Sequence, residues 1–473
     1  MLFVIFVTGV FLLVIITFRN ICLKGNWEFV VFFAVLFFPF YISLLSLVYT
    51  TTKSSMLLTL FQSIKEIVFL LTVLGFVAFQ KDLVRYPFRF IKLDGLFISF
   101  YLIAVLFLIF PIGEAQLINK ALYFKNVLLM GLFYFFGRNT RFDSDKIQQL
   151  LHLILVVGLL AFCLNMVEFA MDTHFQQFTG YAKFNEEIND VIPKGNFGLT
   201  WTFETQAVTK RFASFFADPL ELAISALLMF STALILYLTT KRESAFPYLI
   251  MIGISLGLLM FSSSRSSLIA LVVLLLYIAF VFRQYKLLLL VSVLVAIFSV
   301  YLVYFASEDL QYFVIDTITF QNTSSLGHLV EWMAALDSMI SNPMGIGLAT
   351  SGNVSSVDDS IRVGGENQFL VFGVQMGWIG MFVYILILGG AIIVTYRAFS
   401  ELKKVNEARI AFIATAVKFA MILPLFTSNA EKFFFVSLLS WWMVGYTVNA
   451  IHRQRLSFCT DEIEHEENPH TPG

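Results

Sequence analysis

Thirteen long apolar runs, parted by short polar loops, constrain this chain more than any other feature. A run of about 20 apolar residues crosses the bilayer core as a helix, because lipid offers no hydrogen-bond partner to an open backbone. The runs fall near residues 1–18, 29–50, 57–79, 95–112, 121–136, 150–170 and 219–239. The others fall near 246–263, 266–282, 287–305, 369–395, 410–428 and 433–450. They are unbroken rather than striped, the pattern of helices surrounded by lipid and by one another. The expected fold is all-α, a polytopic transmembrane bundle of about 12–14 spans, with residues 1–450 as one membrane domain.

Composition agrees with this. Of 473 residues, 59% are hydrophobic and 13% charged, against a charged fraction of about 25% in water-facing proteins. The net charge of −1 exerts no pull on nucleic acid, and none is expected as a partner. Cys22, Cys163 and Cys459 all lie outside the long loops, which argues against a disulfide framework or a thiolate metal site. The first run has no basic segment before it and no small-residue cleavage site before Arg19, so it reads as a retained helix rather than a signal peptide.

Lysine and arginine in the short loops set the orientation. Lys81, Arg85, Arg89 and Lys92 share one loop, and Arg138, Arg141 and Lys146 another. Lys241–Arg242, Arg283 with Lys286, and Arg397 through Arg409 continue the series at alternate loops, with Arg453 and Arg455 in the tail. All are assigned to the cytoplasm. The tail, 451–473, ends in TDEIEHEENPHTPG and is expected to be disordered.

The alternation leaves residues 171–218 and 306–368 outside. It also puts the N-terminus outside, unless a span is hidden or one of the two weakest, the first and the one carrying Lys65 and Glu66, is not a span. In the second outside segment His328 to Ile340 reads as a helix with Leu329, Trp332, Met333, Leu336, Met339 and Ile340 on one face, stopped by Asn342–Pro343. Such a helix fits either the membrane interface or the lid of a cavity.

Three polar segments stand where membrane burial does not explain them. In KRFASFFADPLELA, Asp218 is expected to cap a helix that starts at Pro219, placing Arg211 near its positive end. A guanidinium beside free helix N–H groups receives phosphate or pyrophosphate well; an interfacial arginine reaching for headgroups is the competing reading. FSSSRSSLIAL sets Arg265 among five serines at the tip of a tight hairpin on the outer side, against the orientation bias. That arginine either binds sugar or phosphate oxygens or simply reaches the headgroups.

The third segment, RVGGENQ from Arg362 to Gln368, brings Glu366 to the membrane edge beside two glycines. Glu366 fits a general base, or with Asn367 a helix cap. Arg362, Asn367 and Trp332 are candidate substrate contacts. His328, next to Glu331–Trp332, is a packing residue or a weaker candidate base. Lys65, Lys125, Glu168 and Lys418 lie in or near spans with no partner evident from sequence. No Walker A loop, HExxH or His/Cys cluster is present, and no Asp-x-Asp stands near an outside helix end, so no cofactor or metal is expected.

Taken in order, these segments resemble the O-antigen polymerase and O-antigen ligase (Wzy-type) superfamily over roughly residues 205–395. The resemblance rests on Arg211 before Asp218–Pro219, and on SRSSLIAL at Ser264 to Leu271. It continues in Trp332 on the loop helix, PMGIG at Pro343 to Gly347, ENQFL at Glu366 to Leu370 and GWIG at Gly377 to Gly380. Two departures stand out. Glu366–Asn367 occupies the place of the ligases' His-Asn, and His328 that of an arginine before the loop helix.

The resemblance implies an enzyme of the bacterial plasma membrane, its active site facing outward. It would transfer a glycan from polyprenyl pyrophosphate to the terminal sugar of another lipid-linked repeat unit. Arg211 and Arg265 would hold the pyrophosphate, and Glu366, less readily His328, would activate the acceptor. A lipid-linked-glycan flippase and a chain-length regulator are the implied partners. The missing histidine favours polymerisation over ligation to a lipid or protein acceptor. Transport of lipid-linked glycan is the alternative from another class, against which stands the lack of an internal repeat.

Overall fold

The computed structural model describes residues 2–80, 88–205, 208–283, 285–305, 311 and 323–467. Lys81 and Arg85 of the first basic loop, most of 306–322 in the second outer segment, and the last six residues of the tail lie outside this range. Each of the thirteen apolar runs is a helix. These are α1 (Leu2–Phe18), α2 (Trp27–Thr52), α3 (Ser55–Phe79), α4 (Lys92–Ile109), α5 (Leu117–Asn139), α6 (Ser144–Met171) and α7 (Pro219–Thr239). Then come α8 (Phe246–Ser262), α9 (Arg265–Val281), α10 (Tyr285–Tyr304), α12 (Gln368–Glu401), α13 (Val405–Thr427) and α14 (Phe434–Glu467). The loop helix is α11 (Thr323–Ser341).

Among the described residues, nine helices are long and apolar enough to cross a membrane, and α8 and α9 are shorter apolar helices. The chain is a polytopic helical bundle. The helix α2 turns through a 3-10 segment at Phe38–Phe40, where Pro39 removes a backbone donor.

The helix ends sort into two groups. Asn406 donates to the Ser144 carbonyl (3.1 Å) and Arg409 to the Thr239 hydroxyl (2.8 Å), gathering three helix ends at the basic end. At the other, the loop end, Thr50 donates to the Thr179 carbonyl (3.1 Å) and the turn after α4 packs on the 343–347 turn. The ring of Phe6 lies 6.3 Å from that of Phe175, so α1 starts at the loop end.

Two close approaches fix the packing of the bundle. The helices α5 and α14 touch backbone to backbone at Gly137 and Gly445, where added Cβ atoms would meet the Trp442 and Tyr134 carbonyl oxygens at 2.1 Å. In α12 the helix breaks at Met376–Gly377, with Gly377 at φ +69°. The freed Val374 and Gln375 carbonyls accept from Ile346 N–H (2.8 Å) and Gly347 N–H (3.1 Å), and Trp378 N–H donates to Pro343 (3.1 Å). The PMGIG turn and the GWIG kink are therefore two halves of one joint.

On α11 the residues Met333, Leu336 and Ile340 are exposed, while Ala335 and Met339 are buried. Gly364 packs on Ala335 and Gly373 on Met339, so closeness of approach, not side-chain size, selects the packed face. The helix α14 continues to Glu467, and no breaker precedes Pro469.

Candidate functional site

The loop between α6 and α7 is stapled from beneath. Glu168, at the end of α6, accepts from Phe175 N–H (2.7 Å) and Ser214 N–H (3.0 Å). The Gln176 amide donates to the Ser214 (2.8 Å) and Phe216 (3.0 Å) carbonyls. These bonds hold Phe212 to Phe216 down on the bundle and set Arg211 at its rim. His174 sits fully buried among Phe197, Phe203 and Phe212, and burial first, then the Lys210 charge, pulls its imidazole down to about 4.

Asp218 caps α7 as expected, accepting from Leu220 and Glu221 N–H at 2.9 Å. That cap corrects the reading of Arg211: the α7 N–H groups it was to share with a phosphate are taken by Asp218. Arg211 leans the other way. Its Nε–H donates to the Ser262 carbonyl at the end of α8 (2.8 Å), beside the hairpin that carries Arg265. Burial lowers the Arg211 guanidinium to about 10, with Asp218 opposing and the Arg265 charge adding to the fall; it stays charged at neutral pH. The charge of Arg265 thus reaches Arg211 beside the hairpin. Arg265 opens α9, whose N-cap Ser264 makes no side-chain cap bond. The uncapped helix start belongs to Arg265, not to Arg211.

The second group forms around α11. His328 Nδ1 and Glu366 Oε2 are in direct contact, joining the two candidate bases into one unit. The Trp332 ring lies one turn further along, 6.5 Å from the His328 ring. Asn367 is the cap of α12, its Oδ1 accepting from Phe369 N–H (3.0 Å) and Leu370 N–H (3.2 Å); being buried and so engaged, it holds the helix start that positions Glu366. Arg362 donates to Asn353 Oδ1 (2.9 Å) and pairs with Asp359 (3.2 Å).

Residues not picked out from the sequence lie between the two groups. Lys432 donates to the Asn353 carbonyl (3.4 Å), and its charge reaches Glu221 beside the Asp218 cap. Asn353 in turn touches Gly365, where a Cβ would stand 2.6 Å from Oδ1. Hydrogen bonds thus run from Lys432 to Asn353 and from Arg362 to Asn353, which lies against Gly365 beside Glu366. A cavity of about 520 Å³ of empty space, partly open to solvent, is lined by Tyr123, Asn126, Gln368, Asn429 and Lys432 among apolar side chains.

Under that cavity Glu431 accepts from Tyr384 (2.7 Å), Trp441 Nε1 (3.2 Å) and the Ser437 hydroxyl. The wholly buried Lys418 stands 3.9 Å away, over the Trp441 ring. Gln375 ties the 348–351 turn to α12, accepting from Ala349 N–H (2.8 Å) and donating to the Ser351 carbonyl (2.8 Å). The sequence signals were a Glu-Lys pair in an outer turn, 431–432, and a glutamine inside an apolar span. Lys65 and Lys125 also find partners, both pairing with Glu66, at 3.2 and 2.8 Å.

Among the described residues no three His, Cys, Asp or Glu side chains gather as a metal-ligand set. Residues 250–385 match the family model described as O-antigen ligase, Wzy_C. This match over part of the chain is consistent with the O-antigen polymerase and ligase superfamily that its motifs resemble. Arg265, His328, Trp332, Arg362, Glu366 and Asn367 lie inside the match, and Arg211 precedes it. No curated protein matches the chain. A multi-pass membrane protein with this domain is supported as a glycan-joining enzyme.

Proposed function

We propose, from the O-antigen ligase domain at residues 250–385, that this protein is a polysaccharide polymerase of the bacterial plasma membrane. It transfers a glycan from polyprenyl pyrophosphate to the terminal sugar of another lipid-linked repeat unit, at an outward-facing site. The observation that carries this reading is that Arg211, bonded to the Ser262 carbonyl, lies within the field of Arg265, which opens α9. Like charges close together at a helix start favour a multivalent anion, and pyrophosphate is the anion that this chemistry releases.

In the transfer the acceptor hydroxyl oxygen bonds to the donor's anomeric carbon as the bond from that carbon to the pyrophosphate oxygen breaks. The leaving pyrophosphate keeps the bonding pair, and Arg211 and Arg265 stabilise its added charge in place of a divalent ion. The hydroxyl proton passes to Nε2 of His328, while Glu366 accepts from Nδ1–H and fixes the tautomer. Glu366 thus orients the base; in the reverse assignment it takes the proton itself. Asn353, Arg362, Trp332 and the cavity by Asn126 and Asn429 supply amide, guanidinium and ring contacts for sugars. A flippase would deliver the donor and a chain-length regulator would end the polymer.

Ligation of finished glycan onto a lipid or protein acceptor is the second reading, favoured by the description of the matching family. Purified protein in liposomes, given lipid-linked glycan already on the outer face, separates the two. A ladder of lengthening chains supports polymerisation, one chain per acceptor supports ligation, and no new glycosidic bond overturns both. Arg211→Ala and Arg265→Ala should each slow transfer by about 10²- to 10³-fold, with excess chelator leaving the unsubstituted enzyme active.

A further inference from the structure

At the basic end, away from the candidate site, a second pocket of about 360 Å³ of empty space lies where three span ends meet. Arg89 comes from the segment before α4, Arg138 and Arg141 from the end of α5, and Arg453 from α14 where its span ends, with Phe88 and Leu456 beside them.

Four guanidiniums in one pocket need anions, and the carboxylates facing it are fewer. Asp94 is taken by Arg138, through Nε (3.1 Å) and Nη2 (3.0 Å), and also accepts from Tyr134 (2.7 Å). Glu407 is taken by Arg453 (3.0 Å), with Lys404 at 4.0 Å. Glu28 accepts from the backbone N–H of Arg141 (2.5 Å) and stands in the fields of Lys146, Arg141 and Arg453. Among the described residues neither Arg89 nor Arg141 has a side-chain ion pair. Arg453 Nε–H is buried without a hydrogen-bond acceptor. The pocket therefore holds an excess of positive charge and an unused donor at the level where the spans leave the membrane.

We propose that this pocket binds the phosphate of an anionic phospholipid, of the phosphatidylglycerol or cardiolipin class, with Phe88 and Leu456 against its glycerol and first methylenes. Basic pockets between transmembrane helices at a membrane face suit such headgroups. The shape explains why the arginines converge instead of splaying into solvent as separate orientation signals. Lipid bound here would tie α4, α5 and α14 together on the side opposite the reaction.

The test uses the full chain in nanodiscs of phosphatidylcholine with a tenth of phosphatidylglycerol, released into detergent and read by native mass spectrometry. The unsubstituted protein should retain phosphatidylglycerol in preference to phosphatidylcholine. The Arg89→Gln/Arg141→Gln variant, which leaves both ion pairs and the Arg141 backbone bond intact, should lose about 30-fold in that preference, from two charges at about 1 kcal/mol each. Arg89→Lys/Arg141→Lys should keep most of it. Equal retention of the two lipids by the unsubstituted protein, or unchanged retention in the glutamine variant, overturns the site. Displacement of the lipid by inorganic phosphate at millimolar concentration would overturn the lipid assignment in favour of a free phosphate.

Discussion

Acidification should loosen the loop that holds Arg211, and His174 is the group that makes it do so. Its ring has no exposure and neither nitrogen has a hydrogen-bond partner. Burial holds it near a pKa of about 4, against an ordinary value of 6.5. The depressed value means that the open loop binds the proton and the closed loop resists it. The closed state is therefore favoured fully above pH 6.5 and loses stability as pH falls from there toward 4. Between pH 7.5 and pH 5 the linkage amounts to about 2 kcal/mol, or about 30-fold in the opening equilibrium. Hydrogen exchange of backbone amides in 174–205, corrected for the intrinsic effect of pH, reads that equilibrium directly. His174→Phe keeps a ring among the three phenylalanines and removes both unpaired nitrogens, so its loop should open less at pH 7.5 and show almost no added opening at pH 5. An equal rise of exchange in the variant and the unsubstituted protein would refute the assignment to His174.

Two further predictions concern the supports of the site. Asn367→Ala removes the cap of α12 and should cost about 1 kcal/mol, seen as a lower Tm in detergent, while Asn367→Asp should retain most of the stability. Lys418→Met leaves the Glu431 carboxylate buried with its hydroxyl and indole donors but no cation. The cost should be about 3 kcal/mol, and adding Glu431→Gln should recover more than half of it on the same thermal readout.

The helices were legible because lipid leaves a spanning chain almost no alternative; all thirteen runs are helical, down to the short first one. Local punctuation was equally readable: Asp218 caps and Asn342–Pro343 stops where the sequence says. Pairing across the chain was not. Nothing in the sequence joins Lys418 to Glu431, Lys125 to Glu66, or His328 to Glu366, since each pair depends on how separate helices lean. Which side of α11 packs was not legible, because Gly364 and Gly373, outside that helix, decide which side comes close. The role of the α7 start was misread for a related reason: a good cap such as Asp218 fills the N–H groups that a ligand would need. At the RVGGENQ segment Asn367 caps α12, as one reading of the sequence has it, while the neighbouring Glu366 faces His328.

The central claim is that the arginine pair holds the leaving pyrophosphate while the Glu366–His328 unit activates the acceptor. Measuring polyprenyl pyrophosphate binding and glycan transfer on the same preparations of Arg265→Ala and Glu366→Gln tests it most directly. The account predicts that Arg265→Ala loses both binding and transfer, whereas Glu366→Gln binds as the unsubstituted protein does and transfers at least about 100-fold more slowly. Normal binding and long polymer from Arg265→Ala would contradict it.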